Sequence, residues 1–165
     1  MRGPQNLGRK ESKTLIGCDN MMSKKTRKPL LCLDLEGTLI SNAVSQIPRP
    51  GLYDFLESVS GLYDLMLYTS VSRVRVHAIQ DVLIEEQVVP TWFKDLPVIH
   101  PEGTIKYKAH CSHNDAILLD DQAAVIAPGE EGWWIPIEEY LPPYADEDCE
   151  LAKAFANIKS RLAGS

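Results

Sequence analysis

Two acidic pairs are the residues of this chain best suited to chemistry: Asp34 with Glu36, and Asp120 with Asp121. Asp34 and Glu36 are two positions apart in "LDLEGTL", so both can face one side if strand geometry continues that far. Two carboxylates ~4 Å apart repel by about 4 kcal/mol at an effective dielectric near 20. A cluster of such acids therefore calls for a cation or for proton uptake. An all-oxygen donor set, with few thiols or imidazoles nearby, points to Mg²⁺. Thr69, in "LMLYTS", adds a hydroxyl that could bond a substrate oxygen or cap a helix.

These residues can act together only if the fold brings them together. Leu30–Leu33, Leu65–Tyr68 and Ala116–Leu119 are short continuous apolar runs, the mark of strands buried on both faces. Asp34, Thr69 and Asp120 each follow the end of one run. In open α/β sheets that edge is where ligands bind. Between the runs, Leu52, Phe55, Leu56 and Val59 recur at helical spacing, ending before Gly61. A second helix is expected to begin near Ser70 or Ser72 and to end after Glu85-Glu86, with Val74, Ala78 and Val82 along its inner stripe. Val98-Ile99 and Thr104-Ile105 read as short strands around the Pro101–Gly103 turn, and Trp133–Ile137 as a further strand interrupted by Pro136. The tail from Asp146 to Leu162 reads as an amphipathic helix with Leu151, Phe155, Ile158 and Leu162 on one face. The alternation predicts an α/β fold with a doubly wound, mainly parallel sheet and helices on both faces.

Composition narrows the function classes. The 165 residues are 44% hydrophobic and 24% charged, as globular domains are. Residues 1–28 hold eight Lys/Arg and two acids and show no periodicity, which suggests a flexible basic leader ahead of a domain at 29–165. The remaining residues hold nine Lys/Arg and twenty-one acids, a balance that argues against a nucleic-acid partner. No apolar run approaches the ~20 residues of a membrane span. Cys18, Cys32, Cys111 and Cys149 include no CxxC pair and read as free thiols in a reducing, cytoplasmic setting. His110, Cys111 and His113 lack a second ligand pair of zinc-site form. Arg73, Arg75 and His77 are too far apart around a helix to make one patch.

The ordered set "LLCLDLEGTL", "LMLYTS", "GTIKYKAH" and "AILLDD" resembles the four motifs of the haloacid-dehalogenase-type phosphatases. Within that superfamily it is most similar to the carboxy-terminal-domain phosphatase, or NLI-interacting-factor-like, group. The resemblance implies that Asp34 attacks phosphorus and carries an aspartyl-phosphate, while Glu36 protonates the leaving oxygen and then activates water. It implies that Thr69 bonds a phosphoryl oxygen and that Lys106, in preference to Lys108, neutralises the phosphoryl group. Mg²⁺ would be held by Asp34, the Glu36 backbone carbonyl, Asp120 and Asp121. Glu36 departs from the family, which usually has Asp there; one methylene moves the carboxyl by roughly an ångström.

Thirty-four residues lie between Asp34 and Thr69 and thirty-six between Thr69 and Lys106, too few for a cap domain of at least ~50 residues beside the helices they must supply. The expected form is capless, with a short flap at residues 39–50 and an open site. The substrate expected from this is a phosphorylated protein or peptide. A polynucleotide 3′-phosphatase, a small-molecule phosphatase and a non-catalytic module that keeps the fold are the rivals.

Overall fold

The computed structural model describes residues 27–164. The expected leader therefore lies, up to residue 26, outside the described residues. Five strands form one parallel sheet: β1 (Leu30–Leu33), β2 (Asp64–Tyr68), β3 (Val98–Ile99), β4 (Ile117–Asp120) and β5 (Trp134–Pro136), in the order β3-β2-β1-β4-β5. The three apolar runs are the three central strands, where both faces are covered and every second residue does not need to be polar. Pro136 is tolerated because β5 is an edge strand. The register pairs Leu31 with Leu65 on one side and with Ile117 on the other.

Strand alternation sends side chains to two cores. Leu31, Leu33, Leu65, Leu67, Ile117 and Leu119 meet α1 (Leu52–Ser60), α2 (Arg73–Glu85) and α3 (Glu150–Ala163). Leu30, Cys32, Tyr68 and Leu118 face the other way, against Cys111, Ile126 and Trp133, carried by 3-10 helices and loops. The sheet is thus doubly wound, with the α-helices on one face and shorter helical segments on the other.

Three local expectations need correction. The buried stripe of α2 is Val76, Ile79, Gln80 and Leu83, and Val74 is 83% exposed. Two registers compete on this helix. Gln80 disguises the true one, since it is a polar residue in the core whose Nε2 donates to the Phe93 carbonyl at 2.8 Å. Ile79 and Leu83 bury more apolar surface than Ala78 and Val82 would, and that decides the register. Thr104-Ile105 makes no strand; Glu102 and Ile105 form a single bridge around Gly103, which has φ +62°. The last helix begins at Glu150 and not Asp146, because Asp148 is engaged by Arg49. The flap is present: Ile40 bridges Pro48 in antiparallel fashion, and Ser41 N–H donates to the Ile47 carbonyl at 2.9 Å. Among the described residues no helix is long and apolar enough to cross a membrane.

Candidate active site

The order of the strands places a switch point between β1 and β4, where the chain leaves in opposite directions across the sheet. Ligand crevices of open α/β sheets form at such points, at the C-terminal ends of the strands. Asp34 follows β1 and continues its ladder, with its N–H donating to the Leu119 carbonyl at 3.0 Å. Asp120 ends β4, and Asp121 follows it. Lys106 arrives from the β3–β4 connection. Its N–H donates to the Val125 carbonyl at 2.7 Å, a single parallel bridge that anchors the backbone beneath its side chain.

The side chains converge. Lys106 Nζ lies 2.7 Å from Asp34 Oδ1 and 2.5 Å from Asp120 Oδ2, and all three residues are buried. The Tyr68 ring lies under the ammonium, 5.6 Å away. The Thr38 hydroxyl is 3.1 Å from Asp34 Oδ2 and 3.0 Å from Asp121 Oδ1; its one proton can serve either carboxylate at a time. Asp120 Oδ1 accepts the Gln122 N–H at 2.8 Å. Lys108 takes no part in the cluster, and its N–H is held by Glu130.

The electrostatics follow from burial and crowding. Burial pushes the Asp34 carboxyl up to about 7; Lys106 opposes this, and Asp120 and Asp121 add to it. Burial and then the Asp120 charge push Asp121 up as well. Burial disfavours the Lys106 ammonium, but Asp34 and Asp120 more than offset it and hold its pKa above the ordinary lysine value. One lysine against three acids leaves the cluster short of positive charge.

Carboxylate oxygens of Asp34, Asp120 and Asp121 lie within 4.8 Å of one another. Asp121 Oδ2 is buried and has no hydrogen-bond partner. An orphaned anionic oxygen beside two other carboxylates is a hard-donor arrangement that a divalent cation fits. Gly37 allows that oxygen to be there: at φ +73° it has no Cβ, and a Cβ would stand 2.7 Å from Asp121 Oδ2.

Glu36 reaches the same crevice from the loop after β1, half-buried, with Oε1 accepting the Ala43 N–H of the flap at 2.5 Å. Thr69 follows β2, the strand next to β1. It is buried, and its Oγ1 accepts the Val71 N–H at 3.1 Å; its neighbour Ser70, and not Thr69 itself, is among the residues that line the crevice. The crevice holds about 340 Å³ and is lined by Asp34, Glu36, Lys106 and Asp120, with Ser70, Thr104 and Gln122 around them. A groove of similar size between α1 and α3 shares no residue with it and has no lysine or arginine in its lining.

Thr38, Ser70, Gln122 and Tyr68 also belong to the site, and the sequence does not mark them as site residues; Ser70 reads there only as a possible helix start. Thr38 sits in the same motif as Asp34, but nothing in one sequence signals that its hydroxyl spans two acids. The histidine and cysteine cluster is otherwise engaged: His110 Nδ1 is 2.7 Å from the Tyr68 hydroxyl, and Cys111 Sγ is 3.2 Å from Cys32 Sγ. Arg73 and Arg75 diverge to the carbonyls of Val98 and Ala43.

A five-stranded parallel sheet with this crevice at its switch point is a doubly wound α/β fold with a candidate active site at the C-terminal ends of its strands. Residues 13–165 match the family model of the NLI interacting factor-like phosphatases, and the chain belongs to that family. Among solved structures, the fission yeast RNA polymerase II CTD phosphatase Fcp1, in a complex with beryllium fluoride, superposes with a TM-score of 0.51 at 15% identity. The match covers 83% of this chain and 50% of that one, so the chain spans half the length of this structural relative. A search of curated protein sequences found no significant match.

Proposed function

We propose that this protein is a cytoplasmic, Mg²⁺-dependent phosphomonoester hydrolase that works by two-step transfer through Asp34, on phosphorylated protein or peptide. The convergence of Asp34, Lys106, Asp120 and Asp121 from distant parts of the chain carries the reading. In the first step an Asp34 oxygen forms a bond to phosphorus as the ester bond breaks, and Glu36 gives a proton to the departing oxygen. In the second, Glu36 takes a proton from water, the water oxygen bonds to phosphorus, and the Asp34 acyl phosphate is cleaved. Lys106 holds Asp34 in place and offsets phosphoryl charge, and Thr69 donates a hydrogen bond to a phosphoryl oxygen. Asp34, Asp120 and Asp121, with the Glu36 backbone carbonyl, would hold Mg²⁺, which when bound supplies charge neutralisation between a carboxylate and an anionic phosphate.

The substrate class rests on the mouth and on charge. Ser70, Pro101, Thr104, Gln122, Ala124 and Val125 form neutral walls, and among the described residues no cap closes over them. Such a mouth suits a phosphorylated side chain on a polypeptide better than the polyanionic end of a nucleic acid. The test is a turnover screen across phosphopeptides, nucleotides, nucleic-acid ends and sugar phosphates, with Mg²⁺ or with chelator. Phosphopeptides are expected to lead, chelator to abolish turnover, and Asp34→Asn to reduce it by at least ~10³-fold. Metal-independent turnover, or turnover that survives Asp34→Asn, would refute the mechanism and leave the non-catalytic rival.

A further inference from the structure

The glutamate at position 36 raises a positioning problem. Glu has one more side-chain torsion than Asp, so its carboxyl explores more space unless something outside the residue restrains it. The restraint visible here is the Ala43 N–H on Glu36 Oε1, at 2.5 Å. Ala43 lies in the flap, which is stiffened from within. Ile47 N–H donates to Ser41 Oγ at 3.0 Å, and Asn42 Oδ1 accepts the N–H groups of Val44 and Ser45 at 2.9 and 2.8 Å. Leu39, Ile40 and Ala43 pack in the core, and the Gly37 N–H reaches the Ile40 and Ser41 carbonyls; these contacts seat the flap's base, and none of them is made to the Glu36 carboxyl. The opposite end of Ala43 meets Arg75: the Ala43 carbonyl accepts Nε at 3.1 Å and Nη2 at 3.0 Å. Arg75 stands on α2, which is fixed to the core through Val76, Ile79 and Leu83.

We propose that Arg75 is a positioning residue for the acid–base carboxylate, holding Ala43, and with it the flap, where the Ala43 N–H can restrain Glu36. The inference rests on the reading of Glu36 as the proton-transfer group. With Oε1 tied to the flap, Oε2 is the oxygen left to deliver a proton to the ester oxygen. Nε and Nη2 of the guanidinium converge on the one carbonyl oxygen, a bifurcated contact that limits its direction as well as its distance. Arg75 itself is exposed, so its bonds contribute little to stability, and their loss should be read in catalysis more than in unfolding.

The experiment compares Arg75→Ala, Arg75→Lys, Glu36→Gln and the double variant Arg75→Ala/Glu36→Gln with the full-length wild type. kcat/KM is measured on phenyl phosphate, whose leaving group needs a proton, and on p-nitrophenyl phosphate, whose leaving group hardly does. Arg75→Ala is expected to lose roughly tenfold or more on phenyl phosphate and less than about threefold on the nitrophenyl ester, with Tm within about 2 °C of wild type. Arg75→Lys should recover part of the loss, and Arg75→Ala should have no further effect once Glu36→Gln is present. Equal losses on the two esters, or an undiminished effect in the Glu36→Gln background, would overturn the proposal. If Glu36→Gln itself shows no leaving-group dependence, the role of Glu36 fails; if it does and Arg75→Ala does not, only the positioning role fails. Amide hydrogen exchange gives a readout independent of turnover. Arg75→Ala should speed exchange at Ala43 and leave β1 and β4 unchanged, and an unchanged Ala43 rate would also overturn the proposal.

Discussion

On the proposed mechanism Asp34 faces two opposed demands. A nucleophile must be ionised, yet burial beside Asp120 and Asp121 pushes its carboxyl up to about 7 from an ordinary value of 3.8. A raised acid favours the folded state while it is protonated, so that contribution is fully present below pH 3.8 and is lost as pH rises through about 7. In metal-free protein, the stability of the wild type should therefore fall across that window relative to Asp34→Asn, by a few kcal/mol at most. Added Mg²⁺ should remove the difference and release protons near neutral pH, because the cation favours the ionised carboxylates. Denaturant unfolding at several pH values, with chelator and with Mg²⁺, checks this; parallel profiles for the two proteins in chelator would refute it.

At the level of elements, the loop after β1 is held by a buried arginine that grips its backbone. Arg49 is 2% exposed and donates to both Asp148 oxygens, at 2.9 and 3.0 Å, and to the carbonyls of Gly37 and Thr38 at 3.3 and 3.2 Å. The Tyr140 ring packs on its guanidinium at 5.2 Å, and Tyr140 N–H donates to the Gly37 carbonyl at 2.8 Å. One buried cation thus joins the Asp34–Thr38 loop, the end of the flap and the approach to α3. Arg49→Met fills the space but takes the guanidinium from Asp148, which keeps only the Glu150 N–H, and from the Thr38 carbonyl, while the Gly37 carbonyl keeps the Tyr140 N–H. It should cost about 3 kcal/mol and roughly 10 °C in Tm, near the low end for a broken buried pair because Asp148 keeps some exposure. Thermal unfolding measures it, and a loss under about 1 kcal/mol would show the tie to be weak. Gly37→Ala acts on the same loop differently. It imposes a side chain at φ +73° against Asp121 Oδ2, so Mg²⁺ affinity should fall at least about tenfold even where the fold survives. Calorimetric titration with Mg²⁺ reads that directly, and unchanged affinity would remove Asp121 from the metal site.

For the whole molecule, charge and shape act together. Residues 29–165 carry twelve more acids than bases, and the neutral mouth offers no basic track for a phosphate backbone. Polyanionic substrates should be repelled over several ångströms, and salt should relieve that repulsion. Raising ionic strength from about 20 to 200 mM is expected to increase kcat/KM on oligonucleotide ends several-fold and to change it little on a neutral phosphopeptide. Steady-state kinetics at the two salt levels decide it; a fall on oligonucleotide ends with added salt would show attraction and favour the polynucleotide rival.

The apolar runs at Leu30–Leu33, Leu65–Tyr68 and Ala116–Leu119 made the central strands legible, because a strand buried on both faces admits no polar alternation. Their polar ends, Asp34, Thr69 and Asp120, were legible for the same reason: a charge or hydroxyl that breaks such a run marks the C-terminal end of the strand, although all three are themselves buried. What one chain of letters could not show was anything set by contacts between distant residues. The inner face of α2 depended on Gln80 finding the Phe93 carbonyl, and the start of α3 on Arg49 claiming Asp148. The bridging of Asp34 and Asp120 by one ammonium, and the grip of Arg75 on the flap that restrains Glu36, are likewise three-dimensional facts. Local pattern records where a residue leaves water; which partner it then meets is decided when the crossovers close.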